Sequence, residues 1–261
     1  MQDKLNALYE ARISPNLKIE HPPTLLSVIE QRGTSSVYIP IFSLGDLSLI
    51  QGKQKSKKTF FTSVLSAQIL SNYSDKLFAY PPEDKSIAIF DTEQSLYYAD
   101  KTNKRINHLS NASKEYYYFA FRDRTPIERK ELIEHFLQEF GASVCFLLID
   151  GIVDLLFDFN DLKECTNLVQ WLMSMSKQYD VHISCILHEN ISDGKARGHI
   201  GTLLAQKVES VIRIEKNKKV PNRSTIKAKD TRGLQFSDFD IEIDFNGIPH
   251  LVDCEEATNQ L

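Results

Sequence analysis

The chain has 261 residues, 42% of them hydrophobic, which is enough for one sizeable buried core. Its formal net charge of −4 excludes a strong positive field over the whole surface, so a nucleic-acid contact would have to be local. No apolar run approaches the roughly 20 residues that cross a bilayer, and the charged first fourteen residues do not form a secretion signal. We therefore expect a cytoplasmic protein.

The cysteines are Cys145, Cys165, Cys185 and Cys254, and no two of them have C-x-x-C spacing. Cys145 and Cys185 lie inside apolar runs. We therefore expect buried thiols in a reducing compartment rather than disulfides or a zinc site.

The first forty residues differ in pattern from the rest. Residues 1–12 predict one short helix, and residues 13–36, with three prolines and mixed polarity, predict an irregular lead-in. We therefore divide the chain into an N-terminal arm, residues 1–40, and one domain, residues 41–261.

Strands and helices alternate five times in the domain. The predicted strands are short and apolar throughout, which is typical of a parallel sheet covered by helices on both faces. One predicted helix has Thr125 as its N-cap, Pro126 in its first turn and Gly141 at its end. After residue 208 strands follow one another, which predicts a partly antiparallel extension. The predicted fold class is α/β, with three layers.

The segment "GKQKSKKT", residues 52–59, nearly matches the phosphate-loop pattern G-x-x-x-x-G-K-[ST]. It follows a predicted strand and opens a predicted helix, where backbone N–H groups bind phosphates. Lys57 occupies the place of the second glycine, so the segment alone is equally consistent with a solvated basic turn. The candidate nucleotide-binding residues are Gly52, Lys53, Gln54, Lys55, Ser56, Lys57, Lys58, Thr59 and Phe60.

Three polar residues follow apolar strands and strengthen the nucleotide interpretation. Glu93 comes after residues 86–91 and could polarise water as a general base. Asp150 ends an apolar run in the Walker B manner and, with the Thr59 hydroxyl, could hold Mg²⁺. His188 ends a third strand and could contact the terminal phosphate. Each residue taken alone also fits an ordinary strand end.

A polar loop with three glycines is predicted after His188. Its basic residues could contact an anionic polymer such as single-stranded DNA. These candidates are Lys195, Arg197 and His199. A solvated surface loop is the alternative.

The order of these motifs resembles that of the RecA-like P-loop ATPases, and most closely the RepA-like and DnaB-like hexameric helicases. The resemblance covers roughly residues 41–244. It implies ATP and Mg²⁺ as ligands, Lys58 and Thr59 as the Walker A pair, and catalytic or phosphate-sensing roles for Glu93, Asp150 and His188. It also implies a ring-shaped homo-oligomer, possible replication or mobilisation partners, and DNA work in plasmid or mobile-element replication.

The segment 229–233, "KDTRG", resembles the K-x-R-x-G segment of that family, with its spacing changed by one residue. In the family these basic residues reach the nucleotide of the neighbouring subunit. The resemblance implies Arg232 as the first candidate for this arginine finger and Lys229 as the second. A charged hairpin tip is the alternative.

Two other functions stay open at the level of sequence. The chain could bind nucleotide without hydrolysing it, as a structural or assembly subunit, and Lys57 favours this alternative. It could also be a regulatory ATPase that acts on proteins. ATP turnover with and without DNA distinguishes all three.

Overall fold

A computed structural model describes residues 2–189 and 198–254. In chain order the regular elements are α1 (Gln2–Glu10), β1 (Thr24–Arg32), β2 (Ser35–Ser43), β3 (Leu47–Gly52), α2 (Lys58–Ser71), β4 (Leu77–Ala79), β5 (Ser86–Asp91), α3 (Leu96–Leu109), β6 (Tyr117–Ala120), α4 (Pro126–Phe140), β7 (Val144–Asp150), α5 (Leu162–Tyr179), β8 (His182–His188), α6 (Gly198–Lys207), β9 (Ser210–Lys216), β10 (Arg223–Thr231), β11 (Phe239–Ile243) and β12 (Pro249–Asp253).

A nine-stranded sheet forms the centre of the fold, in the order β12-β11-β10-β9-β3-β8-β7-β5-β6. The six strands from β9 to β6 run parallel, and β10, β11 and β12 continue the sheet antiparallel. The parallel strands are buried almost throughout because helices cover both faces. The predicted parallel sheet and its antiparallel extension are both confirmed.

Two apolar clusters, one on each face, make up the core. Side chains of α2, α3 and the N-terminal strands form one cluster, and those of α4, α5 and α6 form the other. The predicted start of α4 is confirmed, since Thr125 at the N-cap and Glu128 in the first turn form a reciprocal capping box, with Pro126 between them. Among the residues that the structure describes, none of the helices is long and apolar enough to cross a bilayer.

The prediction of an irregular lead-in over residues 13–36 was wrong for its second half. β1 and β2 form an antiparallel hairpin, and β4 pairs with β1 to complete a small sheet. Leu25, Leu26 and Val28 are buried in the first apolar cluster. The hairpin turns at Gly33, whose φ of 64° suits glycine, and Pro22 and Pro23 precede β1 without interrupting it.

Candidate functional site

The carboxyl ends of four neighbouring strands bring the predicted polar residues together. Gly52 at the end of β3 is paired with His188 at the end of β8. Asp150, which ends β7, is paired with Asp91 at the end of β5. Since parallel strands end at one edge of the sheet, residues far apart in sequence line one crevice.

Gly52 starts the loop because no larger residue fits there. A Cβ at this position would lie 2.5 Å from the carbonyl oxygen of Ile214 in β9 and 2.6 Å from the hydroxyl of Ser56. The Ser56 hydroxyl is buried and has no hydrogen-bond partner among the described residues. The loop therefore packs tightly against β9.

Lys57 adopts the left-handed conformation that glycine favours, with φ 68° and ψ 26°. For a residue with a Cβ this conformation costs about 1 kcal/mol. Its ammonium group donates a hydrogen bond to the carbonyl oxygen of Pro221, 2.9 Å away, in the connection between β9 and β10. The side chain is therefore directed to that connection.

The loop and the start of α2 present unpaired backbone donors. Within residues 2–189 and 198–254, the backbone N–H groups of Gln54, Lys55, Lys57, Lys58 and Thr59 make no hydrogen bond. No side chain caps this helix end either. Unpaired N–H groups at a helix N-terminus favour an anion, and phosphate suits them.

Lys58 is buried and donates three hydrogen bonds. Its ammonium group contacts the carbonyl oxygens of Gly52 at 3.1 Å and Lys53 at 3.2 Å, and Nδ1 of His188 at 2.9 Å. Burial lowers the pKa of Lys58, and the charges of Glu93, Asp150 and Glu189 oppose this shift. The three acceptors hold the ammonium group in the crevice.

His188 joins Lys58 to Glu93. Because an ammonium group only donates, Nδ1 of His188 accepts from Lys58, and Nε2 donates to Oε2 of Glu93 at 3.2 Å. Burial acts to raise the pKa of Glu93, but the hydrogen bond from His188 and the charge of Lys58 outweigh burial and lower that pKa. Glu93 is thus held as a carboxylate.

Asp91 positions the turn that carries Glu93, and sequence reasoning missed this role. Its Oδ1 accepts hydrogen bonds from the backbone N–H groups of Glu93 and Gln94, at 3.1 and 2.9 Å. Its Oδ2 accepts from the hydroxyl of Tyr118 at 2.8 Å. The acidic run after β5 contained the signal, since Asp commonly bonds backbone groups two residues on.

Asp150 is a buried carboxylate with no hydrogen bond to its side chain among the described residues. Burial raises its pKa well above the ordinary value, and the neighbouring charges of Glu93 and Asp91 raise it further. Among the described residues, no three side chains of His, Cys, Asp or Glu form a metal cluster of their own. Asp150 and the hydroxyl of Thr59 nevertheless suit Mg²⁺, which takes few protein oxygens and completes its shell with phosphate and water.

A backbone contact joins the ends of β5 and β7. The hydroxyl oxygen of Thr92 lies within hydrogen-bond distance of two acceptors. These are the carbonyl oxygen of Asp150 at 2.7 Å and Oδ2 of Asp154 at 2.8 Å. Gly151 has φ 99°, and a Cβ there would lie 2.3 Å from the Thr92 hydroxyl and 2.8 Å from Cγ of Glu93. Glycine at position 151 therefore leaves room for Glu93.

Glu189 forms a buried ionic contact beside the loop. Its carboxylate accepts hydrogen bonds from the guanidinium of Arg213 and from the side-chain amide of Gln51, the residue before Gly52. Its backbone N–H donates to the carbonyl oxygen of Gly52. Sequence reasoning missed this contact because Gln51, Glu189 and Arg213 meet only in the folded sheet.

The other candidates around the loop differ in exposure. Lys53, Gln54 and Lys55 are exposed, whereas Thr59 and Phe60 are half-buried. The guanidinium of Arg105 in α3 lies 4.0 Å from the centre of the Phe60 ring. This contact joins the first turn of α2 to α3.

The two candidates for an arginine finger lie away from the crevice. Arg232 forms an ion pair with Asp46 at 3.2 Å and donates to the carbonyl oxygen of Lys207. Since Asp46 directly precedes β3, Arg232 lies at the amino end of that strand, opposite the loop. Lys229 is exposed at a register shift in β10. Their predicted action on a neighbouring subunit stays a prediction.

The last part of the predicted nucleic-acid loop is helical. Gly198–Lys207 forms α6, so the prediction of a loop there was wrong, and His199 lies exposed in the first turn of this helix. The backbone N–H of His199 donates to the carbonyl oxygen of Phe159, and Gly198 packs against the same residue. Lys195 and Arg197 lie outside the described residues.

Comparison with known proteins identifies the fold. The crystal structure of the RadB recombinase superposes with a TM-score of 0.57 and 14% sequence identity, over 83% of this chain and 94% of that chain. No family model matches the chain, and no curated protein matches it. The superposition and the sheet order confirm the predicted RecA-like three-layer α/β/α core.

Proposed function

We propose that the chain binds ATP with Mg²⁺ at the carboxyl edge of its sheet and hydrolyses it. The observation that carries this proposal is the Lys58–His188–Glu93 series, in which a lysine, a histidine and a carboxylate from three strand ends are in direct contact. The unpaired backbone donors of the loop adjoin it. A cation, a polar relay and a base in one crevice are what phosphoryl transfer to water needs.

Each residue has a separate task in this proposal. The loop N–H groups and Lys58 bind the phosphates, and Lys58 leaves at least one of its present acceptors to do so. Glu93 accepts a proton from the attacking water. His188, which contacts Lys58 through Nδ1 and Glu93 through Nε2, would couple binding of the terminal phosphate to the position of Glu93. Mg²⁺ would be held by Thr59 and Asp150 and would neutralise charge on the phosphate oxygens.

A ring-forming motor on DNA is the wider function that we propose. Arg232 or Lys229 would reach the nucleotide of the next subunit. For Arg232 this requires that its ion pair with Asp46 be broken. Lys195, Arg197 and His199 would contact single-stranded DNA. The assignment to RepA-like or DnaB-like helicases of plasmids and mobile elements rests on the motif order alone.

A nucleotide-binding assembly subunit without turnover is the second candidate. The observation that favours it is the full engagement of Lys58, whose three donors already have three protein acceptors. Such a subunit would bind ATP and release no phosphate.

Mg²⁺-dependent phosphate release, measured with and without single-stranded DNA, tests these candidates. We expect turnover that DNA stimulates and that Lys58→Ala abolishes. Tight ATP binding without phosphate release would select the assembly subunit, and turnover indifferent to DNA would select an ATPase that acts on proteins. The absence of both binding and turnover would refute the nucleotide site itself.

A further inference from the structure

Lys57 combines an unusual backbone conformation with an unusual side-chain hydrogen bond. Its backbone has the left-handed conformation that a β-carbon disfavours, and its ammonium group is committed to a backbone oxygen 164 residues away in sequence. Lys55, two residues earlier, has a similar φ of 59°, yet its side chain has no hydrogen bond among the described residues. The long-range contact is therefore particular to position 57.

The acceptor of this hydrogen bond lies in a connection that has hydrogen bonds of its own. In the connection between β9 and β10, the side-chain oxygen of Asn217 accepts from the N–H groups of Lys219 and Val220, at 2.9 and 3.1 Å. The N–H of Arg223 donates to the carbonyl oxygen of Val220 at 3.0 Å. These local bonds hold the Pro221 carbonyl in place.

This connection is also joined to the rest of the sheet. The backbone N–H of Ile243, at the end of β11, donates to the carbonyl oxygen of Asn222 at 3.0 Å. A contact to Pro221 therefore links the phosphate loop to the antiparallel part of the sheet, and not to a free loop.

The ammonium group of Lys57 lies near a second positive charge, that of Lys216. Burial lowers the pKa of Lys57, and the nearby charge of Lys216 lowers it further. Without an acceptor, the ammonium group would turn outward to water and away from Lys216, since a lysine stem is flexible. The Pro221 carbonyl supplies that acceptor.

We propose that Lys57 is a positioning residue that ties the phosphate loop to the connection between β9 and β10. Glycine at this place makes the loop conformation easy to adopt, whereas Lys57 adopts it with strain and then fixes it by its side chain. The loop is thereby pre-shaped before nucleotide enters, and pre-shaping a binding loop improves affinity by lowering the ordering cost. The functional part of this proposal rests on the nucleotide site proposed above.

Hydrogen exchange of the nucleotide-free protein tests the tie without any ligand. In Lys57→Met, which keeps the stem and loses the donor, we expect the hydrogen-bonded amides of residues 217–224 and the amide of Ser56 to exchange roughly threefold to tenfold faster. Lys57→Arg keeps a donor and should restore protection, and Lys57→Gly, which removes the strain and the donor together, should match Lys57→Met. Lys55→Met is the matched control, with no change expected over residues 217–224.

Titration with a non-hydrolysable ATP analogue adds the functional readout. We expect Lys57→Met to weaken binding roughly threefold to tenfold with Lys57→Arg close to wild type, and Lys219→Met, which removes a neighbouring charge, to leave binding unchanged. Unchanged exchange in both Lys57→Met and Lys57→Gly would overturn the tie. Faster exchange with unchanged affinity would overturn its positioning role. A wild type that binds no analogue would refute the proposed function, while the exchange data would still decide the tie.

Discussion

The guanidinium of Arg213 holds the carboxylate of Glu189 in two hydrogen bonds, from Nε to Oε1 at 2.6 Å and from Nη2 to Oε2 at 3.1 Å. The Glu189 side chain is 1% exposed and that of Arg213 is 28% exposed. Since Glu189 directly follows β8 and also accepts from Gln51, this ion pair joins three neighbouring strands at the edge where the candidate site lies.

Arg213→Met should destabilise the protein by about 2–3 kcal/mol, at the low end for a broken buried pair because Arg213 is partly exposed. The cause is the Glu189 carboxylate, which would stay buried with only Gln51 as a side-chain donor. Urea unfolding measures the loss. The double variant Arg213→Met with Glu189→Gln should recover most of it, because the buried charge is then gone while an acceptor for the Gln51 amide is kept. A double variant no more stable than Arg213→Met would contradict this account.

Glu209→Gln should stabilise the protein at pH 8 and have little effect near pH 4.5. Burial raises the pKa of Glu209 from 4.5 to about 7, and Asp46 adds to this, against the hydrogen bond from Ser43 and the charge of Arg232. Because the folded state holds a proton that the unfolded state has lost, stability falls as the pH rises from 4.5 to 7. The gain in Glu209→Gln should reach about 3 kcal/mol at pH 8.

Unfolding curves of both proteins at pH 4.5, 6 and 8 measure this difference. The side-chain oxygen of Gln at position 209 can still accept from the N–H of Ser43, so the contact itself is kept. An equal difference at all three pH values would show that the ionisation of Glu209 is not its source.

Gly151→Ala should destabilise the protein and displace Glu93. The added Cβ would lie within 2.9 Å of the side chains of Thr92, Glu93 and Asp154, in addition to the strain of φ 99°. We expect a loss of about 2–4 kcal/mol, of which about 1 kcal/mol is backbone strain. Gly247→Ala is the control, because its φ of 80° is also positive but no atom lies within 4 Å of the added Cβ. Equal losses in the two variants would show that the contacts around Gly151 do not matter.

Glu93→Gln should separate binding from turnover. The amide oxygen can still accept from Nε2 of His188, so the structure of the crevice is kept, while the basic carboxylate is lost. We expect ATP affinity within about threefold of wild type and turnover lower by about 10²–10⁴. Single-turnover phosphate release and equilibrium titration measure the two quantities. Turnover near that of wild type would exclude Glu93 as the base.

The strand ends could be predicted from sequence because their signal is local. The apolar runs before Asp150 and His188 predicted buried parallel strands, and parallel strands place their carboxyl ends at one edge whatever the chain does between them. This is why residues 130 positions apart, Lys58 and His188, were assigned to one site before their contact was known.

The rest depended on contacts that no local pattern contains. β1 has no alternation of buried and exposed side chains, because four consecutive residues, 25–28, are buried in the fold, and the prolines before it are typical of a loop. The predicted loop around His199 contains glycines at 198 and 201, yet tertiary packing of Ile200 and Leu204 stabilises α6 there. Likewise, the left-handed backbone of Lys57 gave no sign of its distant partner, Pro221.

The conformation of Lys57 also bears on how such loops are recognised. A sequence pattern that requires glycine at this position describes one way to reach a left-handed backbone conformation. In this chain a lysine adopts that conformation, and its side chain donates a hydrogen bond to a distant carbonyl oxygen. Chains with this solution would escape the pattern although their backbones match it. A lysine or arginine at that place, together with a free carbonyl group across the sheet, is the signature by which they could be found.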